Sequence, residues 1–103
     1  LDDHLLSIGR RTAVERAAYL LVFLYNKAVR VGLLDKNGAI PVTQQHVADT
    51  LGLSIVHTNK TLRKLADREL IRWTDKGCIV LDDAALAQTA GWDPDFRNSR
   101  PFI

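Results

Sequence analysis

TQQHVADTLGLSIVHTNKTLRKL, residues 43–65, reads as two short helices joined by a tight turn at Gly52. Thr43 is a good N-cap, and Val47, Ala48 and Leu51 fall on one face of the helix it opens. Gly52 stands where the chain reverses, a place that favours a residue able to adopt positive φ. Leu53 fills the corner, and Ser54 caps a second helix. In that helix Thr58, Leu62 and Leu65 are expected to face inward, and Val56, His57, Asn59, Lys60, Arg63 and Lys64 outward. Small Ala48 lets the two helices cross at close range. A pair built this way can push its second helix into a DNA major groove.

Outward from that stretch, Thr12-Ala13-Val14-Glu15 is a capping box. The helix it opens runs to about Val31, with Val14, Ala17, Leu21, Leu24 and Ala28 as an apolar stripe. Gly32–Val42 holds Asn37-Gly38 and Pro41, which reads as a loop or a small hairpin. On the other side, Leu70–Thr74 and Cys78–Leu81 are partly β-branched runs around Asp75-Lys76-Gly77, the pattern of a β-hairpin. Asp82 or Asp83 can cap a last helix, Ala84–Ala90, ended by Gly91. The expected class is mainly α with a small β-hairpin, a winged helix-turn-helix with a three-helix core plus wing. Residues 9–91 would form that domain, Leu1–Ile8 the end of a connecting or dimerisation helix, and Trp92–Ile103 an extended tail.

Composition narrows the functional classes. At 103 residues, 47% hydrophobic and 25% charged, the chain suits one globular domain and not a disordered one. A net charge of +2 is small, but its distribution is uneven. Between Ser54 and Gly77 six basic residues (Lys60, Arg63, Lys64, Arg68, Arg72, Lys76) face three acids (Asp67, Glu69, Asp75). Positive charge therefore gathers at the second helix and the hairpin, where a phosphate partner would need it. The single cysteine, Cys78, excludes an internal disulfide and fits a reducing cytoplasm. The longest apolar run, Ala17–Tyr25, is too short for a membrane span. The absence of any methionine, even at position 1, leads to the expectation of a fragment with its upstream part removed.

The chain resembles the C-terminal DNA-binding domain of bacterial Crp/Fnr-type transcription regulators. The resemblance is carried by GRRTAVERAAYLL at 9–21, IPVTQQHVADTLGLSIVHTNKTLRKL at 40–65 and ELIRWTDKGCIVLDDAALAQTAG at 69–91. It implies sequence-specific double-stranded DNA binding as the output of a regulator whose sensor domain lies upstream. That missing sensor would hold a cyclic nucleotide or another effector; no cofactor is expected in this fragment. The resemblance also implies a homodimer in the full-length protein, with RNA polymerase as a possible second partner. One departure matters: well-studied members carry Glu, then Ser or Gly, then Arg at the base-reading points. Here those places hold Val56, Asn59 and Lys60, within a Val-His-Thr-Asn-Lys-Thr run, so familiar half-sites are not assumed.

Base edges are read near the start of a recognition helix, which makes Val56, His57, Asn59 and Lys60 the base-reading candidates. Asn59 can bond an adenine edge, Lys60 guanine O6 and N7, and Val56 a thymine methyl. Thr43, Gln44, Ser54, Arg63, Lys64, Arg72 and Lys76 are candidates for phosphate contacts, which position without reading sequence. For each of these the plain alternative is an ordinary solvated surface. An alternative for the whole module is a winged helix used for protein contacts without DNA binding, to which outward Ile55 and Val56 lend slight support. An enzyme is not expected, since no paired acid–base constellation is present. His46 and Asp49 share a helix face but lack a third ligand at a metal-binding spacing, so no metal is expected.

Overall fold

The computed structural model describes residues 12–91. Both the connecting helix expected over Leu1–Ile8 and the tail expected over Trp92–Ile103 lie outside the described residues. The first helix, α1 (Ala13–Val31), starts at Thr12 with the expected reciprocal cap. The Glu15 amide donates to Thr12 Oγ1 at 3.1 Å, and the Thr12 amide donates to Glu15 Oε1 at 2.9 Å. Its buried face is Ala17, Ala18, Leu21, Val22 and Ala28. The predicted stripe is thus correct at Ala17, Leu21 and Ala28, while Leu24 stays half-buried at its edge.

After Gly32 the chain forms a loop pinned by Asp35. Its Oδ1 accepts from the Asn37 and Ala39 amides at 2.8 and 2.9 Å. The loop leads into β1 (Ala39–Ile40), and here the structure goes beyond the expected loop or local hairpin. β1 pairs with a strand nearly forty residues later, in the register Ala39↔Ile79 and Ile40↔Cys78. A two-residue strand has no readable alternation, and its partner is remote in sequence.

The motif helices are α2 (Gln44–Leu51), capped by Thr43, and α3 (Ile55–Asp67), capped by Ser54. Gly52 takes φ 72°, and the Leu53 amide closes on the Ala48 carbonyl at 3.0 Å. α3 buries Thr58, Thr61, Leu62 and Leu65, one threonine more than expected, and Thr61 Oγ1 bonds back to the His57 carbonyl at 2.9 Å. Just past the end of α3, Glu69 sits in the left-handed region at φ 61°. The Glu69 amide donates to the Ala66 carbonyl and the Leu70 amide to the Leu65 carbonyl, the pairing of a Schellman cap.

β2 (Ile71–Thr74) and β3 (Gly77–Val80) make the expected hairpin, with Asp75-Lys76 as its two-residue loop and Thr74↔Gly77 as the closing pair. The sheet order is β1-β3-β2, so the wing has three strands where two were expected. Asp82 caps α4 (Asp83–Ala90), whose Leu86 and Ala90 are buried. α1 is the spine, packing against α4, α3 and α2. Val47, Leu62, Leu65, Ile71, Cys78 and Leu86 complete one continuous core with it. Arg16 adds a polar tie, its Nη2 donating to the Leu51 carbonyl at the end of α2 at 2.6 Å. A cation against helix-end carbonyls is favourable, and this one locks the motif to the spine.

Candidate nucleic-acid interface

α3 owes its reach to its uneven surface. Its buried residues form one side, so Val56, Asn59, Lys60 and Arg63, at i, i+3, i+4 and i+7, are left as an exposed row on the other. Ser54 fixes where this row begins, accepting from the His57 amide at 3.0 Å. Its hydroxyl proton remains free to donate to an incoming oxygen.

The row does not stand alone. It forms one wall of an open groove of about 640 Å³, with Trp73 of the wing and Gln44 at the start of α2 as further lining. Leu62 and Ala66 also line it, and Asp67 is the one acid there. Five predicted residues, Gln44, Val56, Asn59, Lys60 and Arg63, therefore meet in a single concavity although they come from two helices. What brings Gln44 in is the tight approach of the chain before α2 to the wing: Gly77 lies against Ile40 and Val42.

The other candidates sit around this groove. Thr43 is exposed just before α2, its Oγ1 accepting from the His46 amide at 3.0 Å, and its hydroxyl proton is available for donation. With it lie the first amides of α2, which have no carbonyl partner inside the helix and point toward any anion there. His57 and Lys64 are exposed but do not line the groove; they lie one helical row further round, so His57, grouped with the base readers on sequence, stands apart from Val56, Asn59 and Lys60. Lys76 is at the hairpin tip, its amide held by Thr74 Oγ1 at 3.0 Å. Arg72 is exposed and alternates with Trp73 along β2, so it lies on the opposite face of the wing from the groove.

Charge at the wing is tempered by the loop before β1. The Ala39 amide, more than any other group, holds the Asp35 carboxyl below its ordinary value; burial opposes it, and the Asn37 amide, the Lys76 ammonium and the Gly38 amide add smaller pulls in the same direction as Ala39. Lys76 therefore has an acidic neighbour, which sequence order did not suggest. Cys78 is fully buried in β3, and burial pushes its thiol up to about 12, which leaves it protonated and inert. Asp49 accepts from Gln45 Nε2 at 2.8 Å and His46 serves the cap of α2. Among the described residues no group of three or more His, Cys, Asp or Glu side chains could hold a metal ion.

Three groups escaped the sequence reading. Trp73 was given no place in the groove on sequence; it packs on the core and also walls the groove. Its parity with buried Ile71 along one strand was the available signal. Asp67 follows Arg63 by four residues on the exposed side of α3, a spacing that could have revealed it. Arg16 binds a carbonyl 35 positions away and left no local trace.

The sequence pattern of the Crp-like helix-turn-helix domain matches residues 15–89. The chain is 36% identical over 81 residues to the transcriptional activatory protein AadR of Rhodopseudomonas palustris, covering 79% of this chain and 34% of that protein. It is 38% identical over 83 residues to the nitrogen fixation regulation protein FixK of Rhizobium meliloti, covering 76% and 35%. With the transcriptional activator protein FnrL of Cereibacter sphaeroides it shares 30% over 98 residues, 90% of this chain and 40% of the other. The chain thus spans between a third and two fifths of the length of these relatives. AadR and FnrL are named as transcriptional activators and FixK as a regulation protein, which gives no support to a winged helix kept for protein contacts alone.

Proposed function

We propose a function from one premise: the chain belongs to the Crp-like helix-turn-helix domain family. It is a DNA-binding output domain of a transcription regulator. In our reading α3 lies in the major groove, with Lys60 donating to guanine, Asn59 bonding adenine, and Val56 and His57 touching neighbouring edges. Arg63 and Lys64 on α3, Lys76 at the wing tip, and Thr43, Gln44 and Ser54 at the two helix starts hold flanking phosphates, while Arg72, on the far face of the wing, is left out of the contact set. The observation that carries this reading is the exposed row Val56, Asn59, Lys60, Arg63, which shares one groove with Gln44 and the wing. An α-helix so presented fits the width of a major groove while its neighbours reach the backbone on either side.

Beyond the domain, the reading extends to a full-length homodimer on two half-sites, an upstream sensor for a cyclic nucleotide or other effector, and contact with RNA polymerase. The site of action is the cytoplasm, and the domain itself carries out no reaction. What supports these points is membership of the family. Joining two domains would raise the effective concentration at the second half-site, so one domain alone binds more weakly than the pair.

A salt titration on a duplex obtained by in vitro selection tests the reading. If Arg63, Lys64 and Lys76 each neutralise one phosphate, affinity falls about fortyfold between 50 and 200 mM salt. Binding that is absent, or indifferent to salt, would contradict it.

A further inference from the structure

Two apolar side chains open the reading helix. Ile55 and Val56 are the first two residues of α3, and they remain 38% and 60% exposed. Neither packing nor backbone preference accounts for them there. β-branched residues are modest helix formers, and the other large apolar residues of this helix, Leu62 and Leu65, are buried. Around the pair, the exposed side chains of the first two turns are His57, Asn59 and Lys60, and none is a carboxylate.

DNA offers few partners for such a patch. On the major-groove edge of the bases, the one apolar group is the C5 methyl of thymine. Cytosine is marked instead by its N4 donor, which calls for an acceptor such as Asp or Glu. The start of α3 has apolar surface for the first and no carboxylate for the second. We propose that Ile55 and Val56 form a C5-methyl reader, so that the domain accepts thymine or 5-methylcytosine and disfavours unmethylated cytosine at the positions they face. This rests on the reading that α3 lies in the major groove. Its new content is that base methylation alone, without a change of sequence, tunes the affinity of this domain for its site.

The test uses the 103-residue chain and a selected duplex, with affinity measured at fixed salt. Each thymine is replaced in turn by deoxyuridine, which keeps the pairing edge and removes only the methyl. Loss of one buried methyl corresponds to about fourfold weaker binding. At the same position a C·G pair should bind more weakly than T·A, and methylating that cytosine at C5 should recover about fourfold. In the double variant Ile55→Ala, Val56→Ala, thymine and deoxyuridine duplexes should bind alike while the salt slope is unchanged. The altered residues are exposed, so the fold is preserved, and the deoxyuridine series on the unaltered protein needs no variant at all. If deoxyuridine is tolerated at every position while binding stays salt-dependent and sequence-specific, the methyl reader is overturned and the DNA-binding reading survives. If methyl sensitivity persists in the double variant, the patch is not the reader. Absence of salt-dependent binding would overturn both.

Discussion

Lys60 and Lys76 make different demands on a DNA site, although both are exposed lysines. Lys60 is on the row that faces the groove, and its removal should abolish discrimination at one base pair, a loss of about 1–3 kcal/mol between right and wrong base. Lys76 is at the wing tip beside Asp35, and Lys76→Ala should weaken binding about equally on all sequences and reduce the salt slope by about one. Affinities on the selected site and on single-base variants separate the two effects. Stability has residue-scale handles of its own. The buried Thr58 hydroxyl has no hydrogen-bond partner among the described residues, so Thr58→Val should stabilise the fold by about 1 kcal/mol in urea denaturation. Glu69 holds a left-handed backbone that favours glycine, and Glu69→Gly should also stabilise by about 1 kcal/mol. Neither residue lines the groove, so DNA affinity should be unchanged by both.

At the scale of elements, what could be read in the sequence was what is local. Thr12, Thr43, Ser54 and Asp82 each satisfy an amide three residues away, so each helix start is inscribed within one turn of chain. The hairpin was equally legible, because its strands are separated by two residues only. β1 was not, because its two residues gain strand geometry only from β3. The same non-local pairing explains why Gly77 is fixed. A Cβ there would collide with the Ile40 carbonyl, so Gly77→Ala must push β1 away from β3 and shift the chain entering α2. The expected result is a loss of several kcal/mol in stability together with weaker DNA binding, since the place of Gln44 in the groove depends on that approach. The Asp35 loop gives a pH signature. Its carboxyl lies below the ordinary 3.8 when folded, so its contribution is present at neutral pH and is lost as pH falls through the folded value. Asp35→Ala should therefore lower the urea midpoint at pH 7, and the difference from the parent should shrink below pH 4.

For the whole molecule, one core built on α1 carries a recognition surface assembled from three separate stretches of chain. The reading row of α3 was visible from helical spacing, because Val56, Asn59, Lys60 and Arg63 follow from which residues are buried. The groove was not, because Trp73 and Gln44 reach it only through packing of the wing against the motif. Arg16 shows the same limit: its bond to the Leu51 carbonyl holds the motif against α1, and it is invisible until the two helices are placed. Cys78 reports on the integrity of this assembly. Its buried, protonated thiol should resist alkylation at pH 8 until the domain opens, so its labelling rate follows unfolding and should be unchanged by DNA-surface substitutions that leave the fold intact.

The central claim is that α3, flanked by Gln44 and the wing, is the surface that meets DNA. Amide NMR spectra recorded while the chain is titrated with its selected duplex test this most directly. The largest shifts are expected at Val56, Asn59, Lys60 and Arg63, with smaller ones at Thr43, Gln44 and Lys76, and little change at Phe23 and Val29 on the outer side of α1. Shifts concentrated on α1, with the start of α3 silent, would contradict it.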